Sequence, residues 1–111
     1  MRVISGFLKG RVLLNHKIEG TRPTMDRVKE SLFAMIQSYL GDCIFLDLFA
    51  GSGSIGIEAI SCGAKKCFFV DKNSLCTKDI LNNIHKFSIE SQSQVLTMDY
   101  RQALEYFVKN K

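Results

Sequence analysis

The sequence predicts an α/β protein built on a small parallel sheet. Three observations carry this. The runs Cys43–Phe49, Cys67–Asp71 and Val95–Met98 are nearly continuous in apolar residues, as in strands buried on both faces. Stretches with apolar residues at helical spacing alternate with them. A glycine-rich turn, Gly51-Ser-Gly53-Ser-Ile-Gly56, follows the first run and opens a helix.

Taken in order, residues 1–6 and 11–14 are short apolar-rich runs around Gly6-Phe-Leu-Lys-Gly10, which predicts a β-hairpin. Thr21-Arg-Pro-Thr24 leads into a helix that Thr24 can cap, with Asp26 suited to its first turn. Val28, Leu32, Met35, Ile36 and Tyr39 recur at helical spacing there, and Gly41 supplies the stop. A helix from Ser54 to Cys62 ends at Gly63. Ser74 caps a helix to about Phe87, with Leu75, Ile80, Ile84 and Phe87 as its apolar positions. A last helix runs from Arg101 to Lys111 with Leu104, Phe107 and Val108 inward. The alternation implies a parallel sheet with right-handed crossovers. The expected division is a basic hairpin arm over residues 1–20 and an α/β body over residues 21–111.

A chain of 111 residues holds one domain at most. Its 46% apolar and 23% charged residues are ordinary for a globular protein. No apolar run is long enough to span a membrane, and the start lacks the apolar region of a signal peptide. A cytoplasmic location with no membrane contact follows by default. Cys43, Cys62, Cys67 and Cys76 show no CxxC spacing, so no metal site is expected and all four read as free thiols. His16 and His85 carry no constellation and read as surface residues. The net charge of +4 lies wholly in residues 1–30; the remainder balances to zero. A basic end on a neutral body suggests a nucleic-acid contact, although a solvated surface accounts for the charge equally well.

In doubly wound folds, ligands lie beyond the carboxyl ends of the strands. Three acids fall at those ends: Asp47, Asp71 and Asp99. Asp71 follows Gly51 by 20 residues, the spacing at which an acid reaches ribose hydroxyls. Asp47 stands just before the glycine turn. A carboxylate there repels a pyrophosphate but suits a cation. S-adenosylmethionine has no phosphate and carries a sulfonium and an ammonium, so it fits better than a nicotinamide dinucleotide. Asp99 is then placed to accept from an adenine amino group. Each acid could instead cap a loop or helix.

The sequence resembles the RsmD family. The resemblance runs through Met1-Arg-Val-Ile-Ser-Gly6, Lys9-Gly-Arg11, Thr21-Arg-Pro-Thr-Met-Asp-Arg-Val-Lys-Glu-Ser-Leu-Phe33 and Leu46-Asp-Leu-Phe-Ala-Gly-Ser-Gly-Ser-Ile-Gly-Ile-Glu-Ala59. The block from Thr21 to Phe33 is its specific part, because many methyltransferases share the glycine loop. The resemblance implies a Rossmann-like S-adenosylmethionine-dependent methyltransferase fold, here with about three parallel strands. It implies methyl transfer to the exocyclic N2 of a guanine in 16S ribosomal RNA, within the small ribosomal subunit. Asp47, Phe49, Gly51 and Gly53 would surround the methionine part of the cofactor, and Ser52 would also bind the cofactor. Asp71 would bind the ribose and Asp99 the adenine, with Lys72 also among the cofactor-binding residues. Arg2, Lys9, Arg11, Arg22 and Arg27 would face RNA.

One departure limits the resemblance. Family members carry an Asp/Asn-Pro-Pro-Tyr/Phe motif after a fourth strand, which holds the target amine and stacks on the flipped base. Pro23 is the only proline here, so no catalytic residue is expected in this chain. The sequence therefore looks like an N-terminal fragment, incomplete or inactive. Without a fourth strand, Cys43–Phe49 becomes an apolar edge that invites poor stability or self-association. A non-catalytic RNA-binding module with a relic cofactor loop is the alternative.

Overall fold

The computed structural model describes residues 1–15 and 23–110. Its elements are α1 (Pro23–Leu40), β1 (Ile44–Asp47), α2 (Ser54–Ser61), β2 (Lys66–Asp71), α3 (Ser74–Lys86), β3 (Ser93–Thr97) and α4 (Tyr100–Lys109). A short 3₁₀ turn, Glu90–Gln92, leads into β3. The strands run parallel in the order β1-β2-β3, with Leu46 beside Phe68 and Phe69 beside Val95.

Alternation along β2 decides the layers. Cys67 and Phe69 are buried with Ile57 and Ile60 of α2 and Ile80 and Ile84 of α3. Phe68 points to the other face, where its ring meets Phe107 of α4 edge-on at 4.9 Å. Helices thus cover both faces, as the sequence predicts. A methyl group at Gly56 would strike the Phe69 ring and the Cys67 sulfur, so only glycine lets α2 approach β2 this closely.

Several expectations are corrected. On α1, Lys29, Phe33 and Leu40 are buried and Ile36 half-buried. Val28, Leu32, Met35 and Tyr39 face outward, the last two 77% exposed. Two contacts set this rotation: the Phe33 ring stacks on Phe45 of β1, and Lys29 pairs with a buried acid on α2. Asn73, not Ser74, caps α3, its side chain accepting from the Leu75 N–H at 2.9 Å. Leu75 is exposed at this end of α3. On α4, Ala103 is buried and Phe107 half-buried, whereas Leu104 and Val108 are exposed. β1 is shorter than expected, although it lies at the sheet edge as the sequence predicts, with Ile44 67% exposed. The Thr24 cap and His16 lie outside the described side chains.

The arm reverses direction as a hairpin but makes only one antiparallel bridge, Arg2 with Val12. Its next donors are taken by α2. The Ile4 and Ser5 N–H groups both donate to the Glu58 carboxylate at 2.9 Å, and the Leu8 N–H donates to Ser61 Oγ at 3.0 Å. Val3, Leu8 and Leu13 meanwhile enter the main core. Glu58 is only 1% exposed and is neutralised by Lys29, whose Nζ lies 3.2 Å away. Lys29 also donates to the Arg2 carbonyl and to Ser54 Oγ. One ion pair therefore ties the arm, α1 and α2 together.

Replacing Glu58 with Ala would strand a buried ammonium and two backbone donors. The expected cost is about 3–5 kcal/mol, read as a lowered urea midpoint for unfolding. A loss below about 1 kcal/mol would show that the clasp is not structural.

Candidate functional site

The carboxyl ends of the three strands form one rim, and the three predicted acids lie on it. Asp47 closes β1 and accepts from the backbone N–H groups of Phe49 and Gly56. Its Oδ2 is buried with no hydrogen-bond partner among the described residues. Burial pushes this carboxyl above its ordinary range; the two N–H bonds pull it down and Asp71 repels it upward. Asp71 closes β2 and bridges two loops, accepting from the Gly51 N–H at 3.0 Å and the Asn73 N–H at 2.9 Å. Asp99 follows β3 and caps α4, accepting from the Arg101 N–H at 2.7 Å.

The glycine turn is held between these acids. The Ala50 N–H donates to the Val70 carbonyl, and the Gly53 N–H donates back to Ala50 at 2.8 Å. Gly53 opens α2 at φ 85°, a left-handed conformation suited to glycine. No side chain caps α2, so the dipole end of the helix is left open beside the turn.

Two cavities flank Phe49. One, of about 250 Å³, is lined by Met1, Asp26, Lys29, Phe49, Ser52 and Ser54, among others. The second, of about 220 Å³, is lined by Phe49, Asp71, Lys72, Met98, Asp99 and Tyr100, among others. The Phe49 ring is 74% exposed and lies 5.3 Å from that of Tyr100. Gly51 and Ser52 line the first cavity; Asp47 and Gly53 line neither and lie behind the turn. Sequence reasoning missed Met1, Asp26 and Tyr100 as lining residues. Tyr100 directly follows a strand-end acid, and that position could have signalled it.

The cations expected to face RNA do not converge on this rim. Arg2 is exposed, with its Nε 3.9 Å from Asp26. Lys9 is exposed at the hairpin turn, in a shallow groove opposite Glu30. Arg11 lies over the Phe87 ring on the α3 side. Arg27 is exposed on α1. Arg22 lies outside the described residues. His85 is exposed as expected, with Glu90 3.2 Å from its Nδ1.

All four cysteines are free thiols. Burial pushes Cys67 and Cys62 upward, which keeps them protonated and unsuited to nucleophilic work. No group of three or more His, Cys, Asp or Glu among the described residues could hold a metal ion. None of the described helices is long and apolar enough to cross a membrane.

A cleft bent around Phe49 fits a ligand with two ends. The buried Asp47 oxygen without a partner calls for a donor or positive charge. Fold and rim together are those of a Rossmann-like methyltransferase. A structure from Escherichia coli described as methyltransferase yhhF superposes with a TM-score of 0.83 at 28% identity, over 94% of this chain and 55% of that one. Haemophilus influenzae methylase HI0767 gives 0.71 at 33% identity, over 88% and 51%.

The chain belongs to the family described as Conserved hypothetical protein 95, whose family model matches residues 1–111. Its curated relatives bear out the RsmD resemblance. A Bacillus subtilis protein named as an rRNA methyltransferase, YlbH, is 43% identical over the whole chain and 60% of its own length. Ribosomal RNA small subunit methyltransferase D of Haemophilus influenzae is 40% identical over 83% of the chain and 48% of its own length. The chain thus spans about half the length of the curated relatives it matches.

The raised Asp47 carboxyl sets a sign for stability. Its folded pKa lies above its unfolded one, so the folded chain holds the proton more tightly. Stability then falls as pH rises from the ordinary Asp range of about 4 through the raised pKa. Asp47→Asn should melt higher than the parent at pH 7, with the gap closing below about pH 4. Scanning fluorimetry across pH checks this; a gap independent of pH would show that Asp47 ionisation carries no cost.

Proposed function

We propose that this chain is the cofactor-holding part of an rRNA methyltransferase acting on the exocyclic N2 of a guanine in 16S ribosomal RNA. The observation that carries the reading is Asp47, whose carboxyl keeps one buried oxygen without a partner among the described residues, behind a glycine turn. It favours the cationic S-adenosylmethionine over a phosphate-bearing dinucleotide. When bound, that cofactor supplies a methyl group for direct transfer to an amine nitrogen.

This chain's residues bind and orient it. Gly51 and Ser52 would hold the methionine end, with Asp47 and Gly53 behind the turn setting its charge and shape and the open start of α2 facing the ligand's carboxylate. Asp71 has lone pairs left for ribose hydroxyls after accepting its two backbone donors, and Lys72 lies beside it. Asp99 would take the adenine amino group beside Tyr100. Phe49 would separate the two halves of the ligand. The Asp/Asn-Pro-Pro-Tyr/Phe motif that would hold the target amine does not occur among these residues, so no catalytic residue is assigned. The arm would meet the small subunit's RNA while the body holds cofactor, in a cytoplasmic setting.

Calorimetry with S-adenosylhomocysteine tests this. Measurable binding is expected, weakened at least tenfold by Asp71→Ala, with none for NADH. Absence of binding alongside salt-dependent RNA binding would favour a relic cofactor loop instead.

The β1 edge bears on partners. Ile44, Leu46 and Phe49 are exposed beside a strand edge with no neighbour among the described residues. Self-association through this edge is expected, visible as a concentration-dependent sedimentation coefficient that Leu46→Lys reduces. A parent chain that sediments as a monomer at 100 µM would overturn it (about 10⁻⁴ M, the weak end of specific binding).

A further inference from the structure

We propose that Arg11, Lys86 and Phe87 form a two-cation clamp for the RNA backbone, at the end of the molecule opposite the cofactor rim. This rests on the RNA-binding reading above and adds a site to it. Both cations lie over one ring: the Arg11 guanidinium carbon is 5.1 Å from the Phe87 centroid and Lys86 Nζ is 5.7 Å from it. They are interlocked through backbone. Arg11 Nη2 donates to the Lys86 carbonyl at 3.4 Å, and Lys86 Nζ donates to the Val12 carbonyl at 2.8 Å.

Two cations anchored on one ring present positive charge that a phosphate would meet. Among the described residues, no carboxylate pairs with either cation, and nearby Glu90 is matched to His85. Phe87 is buried, so its ring is a fixed platform rather than a mobile surface group. Each cation spends one donor on the seam between the arm and α3. Of the five N–H donors on an arginine and three on a lysine, most stay available to phosphate oxygens. Lys86 also ends α3, where the helix dipole favours a cation.

The position defines the substrate class. The first residue of α3, Ser74, lies at the rim, and Lys86 is its last. At 1.5 Å per residue the clamp is about 18 Å from the rim along the helix. Stacked nucleotides advance about 3.4 Å each, so one RNA touching both must span about five of them. A ligand that reaches both the clamp and the rim is therefore a polynucleotide, lying along the arm and α3.

The test is binding of a fluorescein-labelled 30-nucleotide hairpin from 16S rRNA to the full chain, by anisotropy over 50–300 mM KCl. The double variant Arg11→Gln/Lys86→Gln should flatten the slope of log Kd against log salt by about 1.5, at roughly 0.7–0.9 per phosphate contact. Affinity for S-adenosylhomocysteine should not change. Arg11→Lys/Lys86→Arg, which keeps the charges, should restore the slope. An unchanged slope in the Gln variant would reduce the cluster to an internal clasp for the arm. Loss of the slope in the charge-keeping variant as well would show that packing, not charge, carries the effect. A parent chain that binds no RNA would overturn the underlying RNA reading and the clamp with it.

Discussion

Lys29 and Glu58 meet at 3.2 Å where water does not reach, and three segments of chain converge on them. An apolar pair could fill the same volume, often at no loss of stability. It could not accept the Ile4 and Ser5 N–H groups, nor donate to the Arg2 carbonyl. The arm has too few ladder bonds to satisfy its own backbone, so it borrows acceptors from α2. The ion pair is the device that lets a near-strandless arm be buried against the body. It also fixes the rotation of α1 and places Asp26 at the rim cavity.

The rim is arranged in the opposite sense. Asp47 and Asp71 repel each other, and part of the Asp47 carboxylate has no partner. The body could be more stable with an amide there. The arrangement makes physical sense for a cleft that waits for positive charge, since a bound cation would relieve both terms together. Asp71 and Asp99 show how one side chain can serve fold and ligand: each caps or bridges backbone with some lone pairs and keeps others.

Strand positions, the glycine turn and the acids at the strand ends were legible because each follows from a local rule. A parallel strand is apolar throughout, a tight turn needs glycine, and an acid closes the strand. The buried face of α1 was not legible. Its two apolar stripes, Val28–Leu32–Met35–Tyr39 and Phe33–Ile36–Leu40, are close in character, and a lysine decides between them by finding Glu58 29 residues away. Leu104 and Val108 were misread for a related reason: amphipathic pattern gives a direction, and β1 with the space beside it offers nothing to pack against. The scatter of the arm cations likewise depends on tertiary contacts, Arg2 with Asp26 and Arg11 with Phe87, that no spacing announces.

Asn83 is fully buried, and its one amide serves two places. Its oxygen accepts the Leu14 N–H, while its nitrogen donates to the Leu14 carbonyl and to the Ser52 carbonyl in the glycine turn. A planar group cannot hold both segments unless their separation is fixed. The end of the arm and the ligand loop therefore belong to one cooperative opening unit. A substitution that removes the Asn83 amide would therefore release the end of the arm and the ligand loop together.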